Sequence, residues 1–377
     1  MSRAHVICWK LLRGPVALYL RLRFGYTFEK AKDLPDHYLV IANHTTNYDP
    51  LLVGASFKKN MYFVASEHIA RWKLAYKFIK FGFAPIIRRK GTVASSTTLE
   101  LMRHVKKGER VSLFAEGVRT WDGVTAPLHP STAKLIKHMG CALVTYRVSG
   151  GYFVSPMWST GKPRRGPLHG EIVNVYTKEQ LDWMSVDAIQ EAIDRDLYED
   201  AYARQESAQA VYKGKKLAEG FENLLFICPS CGKYDTFSSK DDTARCSVCG
   251  QSIRYDEKGY LHGIRFKTVK ELSDHQKTLV AEDVKNRVSY TATAATLTKI
   301  VKHKEELLEN GEVSMTPDSL TIGNTVFPMV DISDMAIHGS HALVFSVNKV
   351  YYEMIPAQGN NAWKFLLYYD ACHNRLV

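Results

Sequence analysis

The sequence has no uninterrupted apolar run of the length that crosses a bilayer. A spanning helix needs about 20 such residues, and residues 1–26 are interrupted by Arg3, Lys10, Arg13, Arg21 and Arg23. Met1 to Trp9 lacks a cationic start followed by an unbroken apolar core, so no signal peptide is predicted. Acidic charge is scarce at the front: residues 1–90 hold 5 Asp/Glu against 16 Lys/Arg. The net charge of +11 is therefore all carried there, and the rest of the chain is balanced. A cationic first quarter suits an anionic partner, for which anionic lipid, a phosphorylated substrate and nucleic acid all qualify. Cysteine is also sparse. Of seven, four lie in two Cys-x-x-Cys pairs, a pattern of metal binding in a reducing compartment rather than of disulfides.

What remains is a chain of 377 residues, 45% hydrophobic and 24% charged, enough for two or three globular domains. Residues 1–26 mix Trp9, Leu11, Leu12, Leu18, Tyr19 and Leu22 with the five cations. Such a segment suits an amphipathic helix at a membrane surface, or a basic helix packed on its own domain. Both readings stay open.

The stretch Ala42-Asn43-His44-Thr45-Thr46-Asn47-Tyr48-Asp49-Pro50 follows Tyr38-Leu39-Val40-Ile41, which reads as a buried strand. In one regular helix His44 and Asp49 would lie about 140° apart, so they can meet only across a turn. Pro50 suits a first helical position and Asp the residue before it. The pair is either a general base with its orienting acid, or a helix cap beside an ordinary polar residue.

Further strands are predicted at Met61–Ala65, Gly82–Arg88, Val111–Ala115 and Ala142–Val148, with helices over 69–80, 93–106 and 130–139. Strands alternating with helices make an α/β layer fold, and sites in such folds gather where strands end. His44, Arg88 and Glu116/Arg119 all stand at predicted strand ends. Guanidinium groups bind phosphate through paired hydrogen bonds, so Arg88 and Arg119 suit a phosphate. Glu116 is expected to orient Arg119 or a substrate hydroxyl, and Gly117 to let the backbone approach a ligand.

These blocks, in this order, resemble the glycerolipid acyltransferase family, typified by 1-acylglycerol-3-phosphate acyltransferases. The likeness covers about the first 160 residues. The family's N-H-x4-D motif matches Asn43-His44 to Asp49, its G-x5-R block Gly82 to Arg88, and its F-P-E-G-T-R block Phe114 to Arg119. Its fourth block aligns with Ala142-Leu143-Val144-Thr145-Tyr146. Ala115, Val118 and Thr145 replace the usual Pro, Thr and Pro, a change of backbone shape more than of chemistry. The resemblance implies His44 as base, Asp49 as its partner, and Arg88, Glu116, Gly117 and Arg119 at the acceptor.

Residues 150–177 are rich in Gly and Pro and read as a loop-rich, partly extended closing segment. Residues 178–205 read as one acidic helix, and 206–220 as a linker or exposed helix. Cys228-Pro-Ser-Cys231-Gly and Cys246-Ser-Val-Cys249-Gly, 14 residues apart, resemble paired zinc knuckles with a hairpin between them. A structural zinc held by Cys228, Cys231, Cys246 and Cys249 is expected, with an iron–sulfur centre or redox dithiols as the other options. A helix over 264–281 leads to short strands at 311–315, 319–322, 325–329, 332–338, 342–347 and 350–355, then a closing helix over 362–371. Antiparallel strands with a C-terminal helix resemble a pleckstrin-homology-like barrel.

The expected fold is thus an α/β acyltransferase domain with a mixed sheet flanked by helices, then a small zinc ribbon and a mainly-β pleckstrin-homology-like domain. The boundaries are 1–205 for the acyltransferase-like domain, 206–263 for linker and ribbon, 264–289 for a connecting helix and 290–377 for the β domain. The expected activity is transfer of a fatty acyl group from acyl-CoA or an acyl-carrier-protein thioester to the hydroxyl of a lysophosphatidic-acid-like acceptor. The expected place is the cytoplasm, peripheral on the inner face of an anionic membrane. Two rivals stand beside it: a non-catalytic lipid-binding adaptor on the same fold, and a zinc-ribbon nucleic-acid-binding protein. The charge map opposes the second, because the positive excess lies far from the cysteines.

Overall fold

The computed structural model describes residues 3–66, 80–88, 95–301, 304–357 and 359–376. The chain divides into two compact units, Met1–Pro156 with Pro163–Tyr212, and Met157–Lys162 with Lys213–Val377. The helix expected over 69–80 lies outside the described residues except for Lys80.

The first unit opens with helix α1 (Arg3–Phe24) and strand β1 (Tyr26–Phe28). Then follow β2 (Tyr38–Ala42), α2 (Asp49–Ser56), β3 (Tyr62–Ser66), β4 (Ile86–Arg88), α3 (Ser95–Lys106), β5 (Val111–Phe114), α4 (Ser131–Met139) and β6 (Ala142–Ser149). The unit closes with α5 (Gly151–Val154), β7 (Leu168–Tyr176), α6 (Lys178–Trp183), α7 (Val186–Leu197) and α8 (Ala201–Ala208). Among the described residues these strands form one seven-stranded sheet in the order β1-β7-β6-β2-β5-β3-β4. The run from β6 to β4 is parallel, and β7 is antiparallel to β6, so the sheet is mixed. Central strand β2 is buried throughout, as an apolar run covered on both faces must be. On one side Leu39, Ile41, Val111 and Leu143 pack with Ile136 of α4 and Ile189 and Ile193 of α7.

Several expectations change. The extended part of the closing segment is a full nine-residue strand, β7. Its Gly170 is there for space, since a Cβ would lie 2.1 Å from the Tyr146 hydroxyl and 2.4 Å from that of Tyr26. The helix expected over 178–205 is three helices, each restarted by a cap. Thr177 accepts from Gln180 N, Ser185 from Ala188 N, and Asp200 from Tyr202 N and Ala203 N. Residues 206–220 are no exposed linker, because Tyr212, Leu217 and Ala218 are buried. Gly82 and Phe83 are helical, and the strand starts only at Ile86, after Ala84 with φ +42° and Pro85.

In the second unit, β8 (Phe237–Lys240), β9 (Thr243–Cys246), β10 (Ser252–Tyr255) and β11 (Leu261–His262) form an antiparallel sheet. The β8–β9 hairpin lies between the cysteine pairs, as expected. Helix α9 (Val269–Lys285) leads to β12 (Tyr290–Val301), β13 (Lys304–Met315), β14 (Ser319–Ile322), β15 (Thr325–Pro328), β16 (Ile332–His338), β17 (Ala342–Val347) and β18 (Val350–Pro356). Their order is β15-β14-β13-β12-β18-β17-β16, antiparallel throughout. Helix α10 (Trp363–Cys372) closes the unit with Phe365, Tyr368 and Tyr369 buried. Strand β12 and most of β13 escaped the sequence reading, because their small, polar and acidic residues show no apolar alternation.

Candidate active site

Strand β2 ends at Ala42, and the next residue keeps the sheet going with its side chain. Asn43 Nδ2 donates to the Val148 carbonyl (3.0 Å), and Val148 N donates to Asn43 Oδ1 (2.7 Å). That exchange mimics a ladder pair with β6 and releases the backbone to turn at His44. The turn ends in α2, whose N-cap is Tyr48 and not Asp49. Asp49 is the first helical residue, and its carboxylate points back into the turn.

His44 Nδ1 lies 2.8 Å from Asp49 Oδ2. Asp49 is fully buried and accepts three more close bonds at that turn. Thr45 N donates at 2.6 Å, Thr46 N at 3.0 Å and the Thr46 hydroxyl at 2.6 Å. So many donors fix the carboxylate in place, and because a carboxylate only accepts, its bond to Nδ1 puts the ring proton there and the lone pair on Nε2. Among the described residues Nε2 has no hydrogen-bond partner, and the imidazole is 24% exposed. Phe114, at the end of β5, stacks on it with centroids 4.7 Å apart. The simple cap reading of Asp49 therefore fails. Thr45 and Thr46 were missed in the sequence, although a threonine hydroxyl that accepts from the backbone two residues on, as Thr46 does from Tyr48 N (3.0 Å), is a known turn device.

The turn after β5 supplies the second group. Glu116 Oε1 accepts from His44 N at 2.5 Å, and its Oε2 from Ala126 N at 3.2 Å. It therefore braces the His44 backbone instead of the Arg119 guanidinium. Its residue surface is partly exposed, yet the carboxyl group is enclosed by protein, and that loss of water pushes its pKa up to about 8 against the pull of the two amides. Gly117 adopts φ +75°, and nothing lies within 4 Å of the place a Cβ would take. Arg119 is 8% exposed, donates to the Ser155 carbonyl (3.2 Å), and has no ion-pair partner among the described residues. Burial lowers its pKa, opposed by nearby Asp49 and Tyr48. Arg88 ends β4, next to β3; its side chain lies outside the described residues. The structure thus joins His44, Asp49 and Glu116 by direct bonds and sets Arg119 within electrostatic reach of Asp49.

The Acyltransferase family model matches residues 26–149, the span that holds this whole constellation. Over those residues the chain is similar to the acyltransferase family. The chain is also similar to a crystal structure of the 1-acyl-sn-glycerophosphate (LPA) acyltransferase PlsC from Thermotoga maritima. That likeness is 17% identity over 53% of this chain and 81% of the other, with a TM-score of 0.41. No curated protein matches the sequence.

Outside the acyltransferase domain, the four cysteines converge. The Cys228, Cys231, Cys246 and Cys249 sulfurs all lie within 4.8 Å of one another. Two of the separations are 3.7 Å (Cys228–Cys249) and 3.9 Å (Cys231–Cys246). Tetrahedral zinc with bonds of about 2.3 Å would set sulfurs about 3.8 Å apart, so the cluster is compatible with that ion. The two loops are near copies. Cys228 N donates to Lys233 O and Gly232 N to Cys228 O; Cys246 N donates to Gln251 O and Gly250 N to Cys246 O. Gly232 and Gly250 have φ +69° and +74°, which the tight knuckle turn requires. Back in the acyltransferase-containing unit, Glu29, His169 and Glu171 also lie close together, but Arg147 already holds Glu171 through two bonds.

Proposed function

We propose that the chain is an O-acyltransferase of phospholipid synthesis. It transfers a fatty acyl group from a thioester, acyl-CoA or acyl-carrier protein, to the hydroxyl of a lysophosphatidic-acid-like acceptor. The observation that carries this reading is an imidazole fixed by Asp49 with Nε2 unpartnered among the described residues, inside a domain that matches the acyltransferase family. As the acceptor oxygen attacks the thioester carbonyl, His44 Nε2 takes its proton. The tetrahedral intermediate then collapses, the C–S bond breaks, and the thiolate leaves with the proton from the imidazolium. Asp49 stabilises that imidazolium. Arg119, buried and without a carboxylate partner among the described residues, and Arg88 take the acceptor phosphate, while Gly117 gives the backbone room beside it. Glu116 holds the His44 backbone in register.

The remaining parts follow the same proposal. The cysteine cluster holds a structural zinc that stabilises a module too small for a core of its own. The strand order of β12–β18 and the closing α10 support a pleckstrin-homology-like reading of 290–377, after a ribbon in 206–263 and a connecting helix in 264–289. None of the described helices is long and apolar enough to cross a membrane. The outer side of α1 carries exposed Leu11, Leu18 and Leu22 beside Arg and Lys, which supports peripheral attachment to the anionic inner face of a membrane.

The test offers radiolabelled lysophosphatidic acid with acyl-CoA and, separately, acyl-carrier-protein thioesters, to wild type and His44→Ala. Product from wild type alone supports the reading. Product from neither points to another acceptor or to the adaptor role, and equal product from both removes His44 from the mechanism.

A further inference from the structure

We infer that α1 couples membrane docking to the geometry of the catalytic turn. Its inner side and the residue after next grip α2, the eight-residue helix that begins at Asp49, at both ends and in the middle. At the far end, Trp9 Nε1 donates to Phe57 O (3.3 Å) and Arg13 Nε to Ala55 O (2.9 Å), both carbonyls at the C-terminal end of α2. In the middle, the Tyr26 hydroxyl donates to Leu52 O (2.9 Å). At the near end, the buried Phe24 ring lies 4.7 Å from that of Tyr48, the residue just before Asp49 and the N-cap of α2.

Tyr48 is itself part of the turn. Its carbonyl accepts from Leu51 N and Leu52 N, and its amide donates to the Thr46 hydroxyl, which in turn donates to Asp49. A shift of Phe24 therefore reaches the carboxylate that orients His44 through one ring contact and two hydrogen bonds. The connection after α1 is tightly fitted: Gly25 has φ +81°, and a Cβ there would lie 2.5 Å from the Gly166 carbonyl.

The opposite side of α1 is exposed among the described residues. Ile7, Leu11, Leu18 and Leu22 recur at helical spacing and are 55%, 67%, 57% and 65% exposed. Apolar side chains in water on one side, and the brace of α2 on the other, put one helix in two equilibria. Its occupant is an anionic bilayer, because Arg3, Lys10 and Arg21 lie on the same helix and it carries no acid. Binding that favours the seated helix must also favour the seated α2, since the coupling is reciprocal. Phe24 and Tyr48 are positioning residues in this scheme and touch no substrate.

The inference rests on the acyltransferase reading only for its rate measurement. The full chain is examined with and without vesicles of phosphatidylglycerol and phosphatidylcholine. Amide exchange over residues 44–57 is followed by mass spectrometry, and kcat by a short-chain acceptor kept below its micelle concentration. Vesicles are expected to slow exchange in that segment and to raise kcat at little change in KM, each by about fivefold or more, the lower end of ordinary coupling. Phe24→Ala is expected to sediment with vesicles yet to lose both responses, and Phe24→Leu to recover most of them. A merely destabilised variant would scale the rates with and without vesicles together and leave their ratio intact. Exchange that ignores vesicles in wild type, absence of vesicle binding, or full responses in Phe24→Ala would each overturn the coupling. Absence of product with the exchange response intact would fault the acyltransferase reading alone.

Discussion

His44 Nδ1 and Asp49 Oδ2 are 2.8 Å apart across a turn, with the carboxylate also tied to the amides of Thr45 and Thr46. The imidazole is therefore referred to a group that cannot easily move. Asp49→Asn can keep some of those amide bonds but presents an NH2 group, which favours the tautomer with its lone pair on Nδ1. The expected result is a fall in kcat of about 10³-fold with KM nearly constant, by analogy with other oriented imidazoles. His44→Ala should lose a similar factor, and the double variant little more than the worse single one. Steady-state kinetics of the three variants decide it. Losses that multiply would show two groups acting independently.

Glu116 ties pH to stability. Its folded pKa of about 8 stands above the ordinary 4.5 because burial disfavours the charged form. The folded state then binds more protons than the unfolded state between those values. Its contribution is complete below the unfolded pKa and is lost as pH rises through about 8. The slope approaches about 1.4 kcal/mol per pH unit within that window. Glu116→Gln should flatten it. Its amide group also faces the donors His44 N or Ala126 N, which costs stability equally at every pH. Urea midpoints from pH 5 to 9 separate the two effects, since only the slope bears on titration; parallel curves for wild type and variant would refute the assignment.

How much of this was legible beforehand depends on the kind of signal. Strand β2 announced itself as an apolar run, and β5 and β6 likewise, because central parallel strands are covered on both faces. The His44–Asp49 spacing demanded a turn, and the turn is there. Asn43's bonds to Val148 join residues 105 apart and had no local sign. Gly170 looked like a loop residue because the hydroxyls that exclude a side chain come from Tyr26 and Tyr146. The bond from Glu116 to His44 N was hidden for a similar reason: of the two expected partners, Arg119 is near in sequence, whereas His44 N arrives from 72 positions away. The cysteine knuckles were the most readable feature, since each is a local loop with its own glycine.

The cysteine cluster should behave as a metal-dependent fold. Purified protein is expected to release about one zinc ion per chain to a colorimetric chelator after thiol modification. Removing the ion leaves four sulfur ligands with no common partner, so amide exchange over 226–262 should rise steeply. Cys246→Ser should do the same at limiting zinc. Full exchange protection after complete chelation would make the cluster a dithiol store or an ordinary core.

Asn43 offers a test that separates hydrogen bonding from shape. The side chain is fully buried, as is Val148, whose N–H and C=O it satisfies at 2.7 Å and 3.0 Å. Asn43→Ala leaves both backbone groups unpaired, at a cost of roughly 2–4 kcal/mol in the urea midpoint. The rate should fall too, because the bend at His44 loses its anchor. Asn43→Asp can satisfy Val148 N with one oxygen, but only a protonated carboxyl can donate to the Val148 carbonyl. Burial and that carbonyl both favour the protonated form, so the folded pKa must rise above the unfolded value. The stability of this variant relative to wild type should therefore increase as pH falls from neutral toward about 4. A constant difference across that range would mean that Asn43 serves the turn by its volume and not by its two bonds.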